Sequence, residues 1–229
     1  MGTLSIVATP IGNLEDITLR ALRTLKEADV IYAEDTRVAA KLLARYEIKK
    51  PLHRLDAATE AAKAEEIVER LAAGERVVYV SDAGTPGISD PGARLVAAVR
   101  EQVSKSDFDT TIEAIPGPSA LAAALSIAGI DTAATGFMFI GFLPHKKGRQ
   151  TALKGISESE IPVVLYESPH RILKLLKELE DGGASRVVVA RELTKMHEEV
   201  ISGTAAEVQA HFAAHPDAVR GEFVVIIVP

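Results

Sequence analysis

The chain alternates short apolar runs with helical patterns along its whole length, and this alternation constrains the fold most strongly. Runs such as LSIVAT (4–9) and RVVYVS (76–81) are rich in β-branched residues, which is typical of buried strands. The segments between such runs place apolar residues at helical spacing, as Leu19, Leu22 and Leu25 do. Strands that alternate with helices predict α/β layers around a largely parallel sheet.

The length leaves room for one large domain or two small ones, because a typical domain has about 150 residues and the chain has 229. We predict two α/β domains, an N-terminal one over 1–116 and a C-terminal one over 117–229. The last strands of the second half could pair antiparallel, so a largely parallel sheet and a mixed sheet both remain open there.

Composition excludes several classes of protein. The chain has no cysteine, which excludes a thiolate metal site, a cysteine nucleophile and a disulfide scaffold. Its 26 basic and 32 acidic residues give a net charge of −6, which argues against non-specific coating of nucleic acid but not against a local basic patch. Neither a targeting signal nor an apolar run of about 20 residues is present, so we expect a cytoplasmic protein without membrane contact.

Three dipeptides place a capping residue before a proline: Asp90-Pro91, Gly117-Pro118 and Ser168-Pro169. Proline suits the first position of a helix, where its missing N–H needs no partner. We therefore predict that helices begin at these prolines, directly after strands. Such turns lie at the carboxyl ends of the strands, where open α/β sheets bind ligands.

The segment Asp82–Gly92, DAGTPGISDPG, is the strongest local signal, and we call it the Gly-Pro loop. Its three glycines allow close approach of backbone to a ligand, and its two prolines restrict the backbone. It matches neither the phosphate-binding P-loop nor the dinucleotide fingerprint. The loop is either an ordinary strand-to-helix turn or a cradle for a ligand held by backbone groups, and an adenosine with a methionine-like tail fits the second interpretation.

Other segments carry side chains that could do chemistry. YESPHRI (166–172) and ARELTKMHEE (190–199) offer acid–base groups and anion-binding cations, or else surface ion pairs. IPGPSALAAAL (115–125) allows close packing of a flat ligand or of another helix. LPHKKGR (143–149) is the only dense basic cluster, and it is either a phosphate contact or a solvated loop.

His211 and His215 have a metal-binding spacing but no third ligand nearby, so we predict a surface pair and no metal site.

Several motifs occur in order over nearly the whole chain: VATPIGNLEDITLRAL, AEDTR, VSDAGTPGISDPG, IPGPSAL, GFLP, YESPHR, VARELTK and GEFV. Together they resemble the 16S ribosomal RNA (cytidine 2′-O-ribose) methyltransferase I family, within the tetrapyrrole-methylase-like superfamily. The resemblance implies S-adenosylmethionine as the methyl donor, bound in a cleft between two α/β domains. It also implies a homodimer that methylates a ribose 2′-hydroxyl of a cytidine in the 16S RNA of the small subunit.

The resemblance also implies roles for individual residues. Cofactor contacts fall on loops after strands: Pro10, Ser81, Asp82, Gly84, Gly87, Ile88, Ser119, Ala120, Tyr166, Arg191 and Glu192. Because a ribose hydroxyl is a poor nucleophile, we expect a general base. The candidates for that base are Glu34, Asp35, Glu167, His170 and Glu192. Cations expected to hold RNA phosphates are Arg37, Lys146, Lys147, Arg149, Arg171 and Lys195.

Two departures from the family pattern keep other functions open. The family has a His-Glu-His-Asn-like stretch where this chain has DAAT (56–59), and it usually continues beyond the strand that here ends at Pro229. One alternative is another methyltransferase of the superfamily, acting on a precorrin or a diphthine-type acceptor. The other is a cofactor-binding module without RNA methylation activity.

Overall fold

The computed structural model describes residues 1–56, 59–106 and 108–229. They form two compact units, Met1–Ser119 and Ala120–Pro229. Each unit is a sheet of five strands with helices packed against it, so the predicted fold class of two α/β domains is confirmed.

The first unit is built on a sheet in which every strand pairs parallel to its neighbours, in the order β3-β2-β4-β1-β5. Parallel neighbours need crossover connections, and helices provide them. The strands are β1 (Gly2–Val7), β2 (Val30–Ala33), β3 (Leu52–Arg54), β4 (Arg76–Val80) and β5 (Thr110–Ile115). The α-helices are α1 (Leu19–Glu27), α2 (Thr36–Arg45), α3 (Glu60–Ala72) and α4 (Ala93–Val103), and a 3₁₀ helix spans Leu14–Asp16.

Both faces of the central strands in this sheet are buried. In β4, Val78 and Val80 join the core under α1 and α2, whereas Val77 and Tyr79 join the core under α3 and α4. A parallel sheet covered on both faces requires continuous apolar strands. This explains why RVVYVS shows no alternation of apolar and polar residues.

The second unit has a mixed sheet in the order β6-β7-β10-β8-β9. Strands β6 and β7 are parallel, while β10 runs antiparallel to both β7 and β8, and β9 antiparallel to β8. Of the two sheet types that the sequence left open for the second half of the chain, the mixed sheet is the correct one. The strands are β6 (Met138–Phe142), β7 (Val163–Glu167), β8 (Arg186–Arg191), β9 (Glu199–Gly203) and β10 (Phe223–Val228).

One face of this mixed sheet packs against α7, α8 and α9 around residues such as Leu165, Leu176 and Phe212. Helix α5 packs against β10. The helices are α5 (Ala120–Ile127), α6 (Thr132–Thr135), α7 (Arg149–Ser157), α8 (Ile172–Asp181) and α9 (Ala205–Ala214), and a 3₁₀ helix spans Pro216–Ala218. Within the described residues, no helix combines the length and the apolar character needed to cross a membrane.

The prediction that helices begin at the three prolines is wrong. Helix α4 begins at Ala93, because Gly92 has a φ of 131° that lies outside helical geometry. Helix α5 begins at Ala120, and α8 begins at Ile172 after a turn in which the N–H of Ile172 donates to the carbonyl of Ser168. The prolines lie in the loops before these helices, so the loops at the strand ends are longer than predicted.

Gly2 has no room for a side chain, since a Cβ there would lie 2.6 Å from Leu71 Cα in α3. We expect Gly2→Ala to destabilise the first unit by about 1–3 kcal/mol, as overpacking does elsewhere. Thermal unfolding followed by calorimetry measures this. The control is Gly155→Ala in α7, where a Cβ meets nothing within 4 Å and helix propensity favours alanine. A wild-type melting temperature for Gly2→Ala would contradict the packing described here.

Candidate functional site

The carboxyl ends of the parallel strands place several of the predicted residues at one edge of the first sheet, which we call the carboxyl edge. Thr9 and Pro10 follow β1, Glu34 follows β2, and Ser81 and Asp82 follow β4. The ends meet because β1 pairs directly with β4, and β4 pairs with β2. This is the edge at which open α/β sheets bind ligands.

Backbone hydrogen bonds join the loops of this edge. The N–H of Thr9 donates to the carbonyl of Gly84 at 2.9 Å, and the N–H of Gly84 donates back at 3.0 Å. Gly84 has a φ of 76°, and a Cβ there would lie 3.2 Å from Ile11 Cγ2. The Thr85 hydroxyl donates to the carbonyl of Pro118 at 3.1 Å. The glycine therefore permits the close approach of two loops, and the turn after β5 is tied to them.

The far end of the Gly-Pro loop is anchored by Glu60, a residue that the sequence analysis did not single out. Glu60 is buried in the first turn of α3, and its carboxylate accepts a hydrogen bond of 2.6 Å from the N–H of Gly92. Gly92 needs to be glycine, because it has a φ of 131° and an added Cβ would lie 3.0 Å from the Tyr79 ring. Both ends of the loop are thus held in place.

Glu34 is the carboxylate of this edge whose environment favours its protonated form. Burial raises the pKa of Glu34 above its ordinary value of 4.5, and the nearby charges of Asp82, Asp90 and Asp56 raise it further. A hydrogen bond from the backbone of Asp82 opposes this rise but does not cancel it. A carboxylate with raised proton affinity at a ligand-binding edge is suited to general base catalysis.

Asp35, another of the candidate bases, is held in a different environment, in which it caps a helix and binds an arginine. Its carboxylate caps α2 by accepting the N–H of Arg37 at 2.8 Å, and it binds the Arg37 guanidinium at 2.5–3.1 Å. These hydrogen bonds from Arg37 hold the pKa of Asp35 well below its usual range. Arg37 is correspondingly engaged with Asp35.

In the second unit, Glu167 lies fully buried at the end of β7. Its Oε1 atom accepts from the N–H of Ser168 at 2.8 Å and pairs with Arg171 Nε at 3.2 Å, while Oε2 has no hydrogen-bond partner among the described residues. Arg171 also donates to the carbonyl of Leu143 at 2.6 Å. Arg171 therefore connects the ends of β6 and β7, and its role as a phosphate contact stays a prediction.

Tyr166 and Arg191, two predicted cofactor contacts, each make a defined polar contact within the second unit. The Tyr166 hydroxyl accepts from the N–H of Leu121, in the first turn of α5, at 3.1 Å. Arg191 is buried, and its Nη1 atom binds Glu199 and the carbonyl of His197, both at 3.1 Å. Its Nε and Nη2 atoms have no partner among the described residues. Arg191 therefore has two buried N–H donor groups that could bind an acceptor from outside the described chain.

Glu192 adopts a left-handed φ of 49°, and its carboxylate binds Lys195 Nζ at 2.8 Å. Gly221 makes this arrangement possible, because a Cβ at that position would overlap the Glu192 carboxylate. Gly221 is the first residue of the GEFV motif, but the motif by itself did not indicate that this glycine makes room for Glu192.

Arg149 is not a phosphate contact, which corrects the prediction made from the basic cluster. Its guanidinium is 4% exposed and holds the Glu178 carboxylate with three hydrogen bonds of 2.5–3.1 Å. Its neighbours Lys146 and Lys147 are exposed. Sequence spacing could not separate these roles, because Glu178 is contributed by another helix, α8.

The remaining predicted residues differ in exposure. Ile88 and His170 are exposed, and Ser119 and Ala120 are partly buried. His211 Nε2 lies 2.8 Å from a Glu199 carboxylate oxygen, and no group of three or more metal-ligating side chains occurs in the described part of the chain. Of the DAAT stretch, Ala57 and Ala58 lie outside the described residues.

Known proteins resemble this chain over most of its length. A family model described as "Tetrapyrrole (Corrin/Porphyrin) Methylases" matches residues 3–209. "Ribosomal RNA small subunit methyltransferase I" of Thermotoga maritima is 45% identical over 93% of this chain and 92% of its own length. The protein of the same name from Neisseria meningitidis is 45% identical over 100% of this chain and 76% of its own length.

Solved structures share the fold at lower identity. A diphthine synthase has a TM-score of 0.74 at 16% identity, covering 100% of this chain and 90% of its own. The methyltransferase CobJ has a TM-score of 0.70 at 21% identity, covering 100% of this chain and 94% of its own. At such identities the likeness concerns the fold alone.

The raised pKa of Glu34 gives a prediction about stability. The protonated form is favoured on folding, so the contribution of Glu34 is fully present below pH 4.5 and is lost as the pH rises through the raised folded pKa. We expect Glu34→Gln to melt about 1–3 °C above the wild type at pH 7 and to lose that advantage near pH 4.

Thermal melts over this pH range measure the effect. The control is Glu101→Gln in α4, because the hydrogen bond from Lys105 lowers the pKa of Glu101 and its replacement should bring no gain at pH 7. A Glu34→Gln variant less stable than the wild type at pH 7 would contradict the environment described for this carboxylate.

Proposed function

The chain belongs to the tetrapyrrole methylase family and, within it, to the ribosomal RNA small subunit methyltransferases I, and on this premise we propose its reaction. The chain transfers a methyl group from S-adenosylmethionine to a ribose 2′-hydroxyl of a cytidine in the RNA of the small ribosomal subunit. The observation that carries this proposal is Glu34, a carboxylate of raised proton affinity beside the Gly-Pro loop. Because the proposed substrate is ribosomal RNA, we expect the protein to act in the cytoplasm.

The residues of the first unit fit the chemistry of S-adenosylmethionine. The sulfonium and the ammonium group of this molecule are cationic, and the carboxylates of Glu34, Asp82 and Asp90 lie close enough to interact electrostatically. Gly84 has no Cβ that would crowd the side chain of Ile11. We assign Pro10, Ser81, Asp82, Gly84, Gly87, Ile88 and Ser119 to the cofactor contacts of this unit.

The second unit offers complementary groups. Arg191 has two buried donor atoms without partners in the described chain, which suits the carboxylate of a methionine tail. The conformation of Glu192 is supported by Gly221. We assign Ala120, Tyr166, Arg191 and Glu192 to the cofactor contacts of this unit.

The protein's own part in the reaction is positioning and proton transfer. When bound, S-adenosylmethionine would supply the methyl group, and its sulfur would leave in line with the attacking oxygen, giving S-adenosylhomocysteine. Glu34 accepts the proton of the ribose hydroxyl as the new oxygen–carbon bond forms. The N–H of Asp82 orients the Glu34 carboxylate, while Asp35 holds the adjoining helix. Exposed Lys146 and Lys147 contact RNA phosphates.

The remaining candidate bases fit less well than Glu34. Asp35 has a lowered pKa, and Glu167 is committed to Arg171 and the N–H of Ser168. Glu192 is paired with Lys195. His170 is exposed in the turn before α8, and no hydrogen bond or ion pair to another described residue orients its ring.

A methyl-transfer assay tests the acceptor. Purified protein is incubated with tritiated S-adenosylmethionine and small ribosomal subunits that lack 2′-O-methylated cytidine. We expect label in the RNA, located on a ribose by mass spectrometry of the digested strand. Label in a precorrin or in elongation factor 2 instead would support the other branches of the superfamily. Tight cofactor binding without transfer would indicate a silent module.

The Glu34→Gln variant tests the base. We expect kcat to fall about 10²- to 10⁴-fold, because the acceptor hydroxyl loses its proton acceptor. The wild-type rate should fall as the pH drops through the raised Glu34 pKa, and the variant should lack this limb. Glu65→Gln, an exposed change on α3, is the control and should keep the wild-type rate. An unchanged kcat in Glu34→Gln would exclude Glu34 as the base.

We also propose a homodimer. Strand β6 is an edge of its sheet, and Phe137, Met138 and Phe142 are 39–49% exposed there. Exposed aromatic residues along a sheet edge are typical of a surface covered by a partner.

Sedimentation equilibrium tests the association. We expect a dimer for the wild type and a monomer for Phe142→Glu, because a charge at this edge resists burial. Leu173→Glu on α8, where Leu173 is 47% exposed, is the control and should remain dimeric. A monomeric wild type at micromolar concentration would exclude the homodimer.

A further inference from the structure

A cavity of about 190 Å³ lies in the first unit between the 3₁₀ helix Leu14–Asp16, α2 and the ends of β1 and β4. Pockets for drug-sized ligands measure about 300–1,000 Å³, so this cavity suits a single small group. Its walls are mainly apolar. Thr9, Val38 and Lys41 line it together with Pro10, Ser81 and Asp82, which are assigned above to the cofactor, so the cavity adjoins the proposed cofactor contacts.

Thr9, one of the residues that line the cavity, has a buried polar atom without a partner in the described chain. Thr9 is 2% exposed, and its hydroxyl has no hydrogen-bond partner among the described residues. The backbone of Thr9 is already occupied by its two bonds to Gly84. Buried hydroxyls are normally paired, and an exception needs an explanation. A ligand that brings a hydrogen-bonding edge into the cavity would satisfy this hydroxyl.

Helix α2, which forms one wall of the cavity, carries a row of cations. Arg37, Lys41 and Arg45 recur every four residues on α2, which places them along one side of the helix. All three are exposed, and Lys41 lines the cavity. Arg37 is bound to Asp35, but neither Lys41 nor Arg45 forms an ion pair with another described residue. Lys41 and Arg45 are therefore available to anions.

The neighbouring charges limit where an anion can bind at this edge. Glu34 is surrounded by other carboxylates, which favour a cation and repel a phosphate. Lys41 and Arg45 lie about 6 Å apart along the axis of α2 and have the opposite sign. The two charge environments thus suit two different ligands, a cationic methyl donor and a polyanion.

We infer that this cavity and the cations of α2 form the subsite for the acceptor nucleotide, an inference that rests on the function proposed above. One base enters the cavity against its apolar walls and hydrogen-bonds the Thr9 hydroxyl. Lys41 and Arg45 bind phosphates of the same strand. A base extruded from its stack into a snug pocket is how nucleic-acid-modifying enzymes commonly read their target.

The cationic part is tested with the double variant Lys41→Gln/Arg45→Gln in the small-subunit methylation assay. We expect KM to rise about tenfold, with kcat at saturating RNA little changed. The slope of log affinity against log salt should fall by about one to two, as expected for two lost phosphate contacts. The control is Lys26→Gln, an exposed cation at the end of α1, which precedes the amino end of β2.

The cavity itself is tested with Val38→Trp, which places a large side chain at an exposed lining position without changing the core. We expect kcat/KM for RNA to fall at least tenfold, while the affinity for S-adenosylmethionine, measured by calorimetry, stays at the wild-type value. Thr9→Val, which removes only the hydroxyl, should raise KM several-fold. Weakened binding of S-adenosylmethionine by Val38→Trp would show instead that the cavity belongs to the cofactor.

The outcomes separate this inference from the proposed function. The first outcome is that the wild type methylates the subunits and the double variant matches it in KM and salt slope. The proposed nucleotide subsite is then wrong, while the proposed methyltransferase function is supported. If the wild type transfers no methyl group, the function fails, and binding alone decides the inference. In that case a fluorescent cytidine-containing RNA oligonucleotide is titrated with wild type and variants. Equal affinities would overturn the subsite.

Discussion

The pairing of β1 between β4 and β5, parallel to both, is the constraint on which the candidate site depends. It brings the loop after β1 against the Gly-Pro loop, where Thr9 and Gly84 exchange two backbone hydrogen bonds. A side chain at Gly84 would crowd Ile11 and strain a backbone of positive φ. The two loops therefore support each other through these hydrogen bonds.

Charge is distributed unevenly around that edge. The charges of Asp82 and Asp90 raise the pKa of Glu34, while Lys41 and Arg45 on α2 have no ion-pair partners in the described chain. Holding carboxylates together costs stability, and proteins accept such costs at functional sites. The protein's net charge of −6 is therefore compatible with an RNA substrate, since a few local cations provide the contact.

The fold could be predicted from sequence to a large extent, because strand runs buried on both faces and amphipathic helices carry strong local signals. The mixed second sheet was one of two open alternatives, since the pairing of β10 between β7 and β8 depends on contacts distant in sequence. The starts of helices were predicted less well. Proline at a strand end is compatible with a loop as well as with a helix. For α4, only the observed φ of Gly92 shows that the helix begins after this residue and not at Pro91.

The sequence alone determined the two α/β domains, the family resemblance and the loops that follow the strands, because these depend on local patterns and ordered motifs. Only the tertiary structure decided what individual charged side chains do. Arg149 and Arg171 looked like phosphate ligands, but each is held by a carboxylate, Glu178 and Glu167 respectively. Glu34 and Asp35 are adjacent in sequence, yet their pKa values shift in opposite directions. The reason is that burial and hydrogen-bond partners set the state of a charged group, and the fold supplies both.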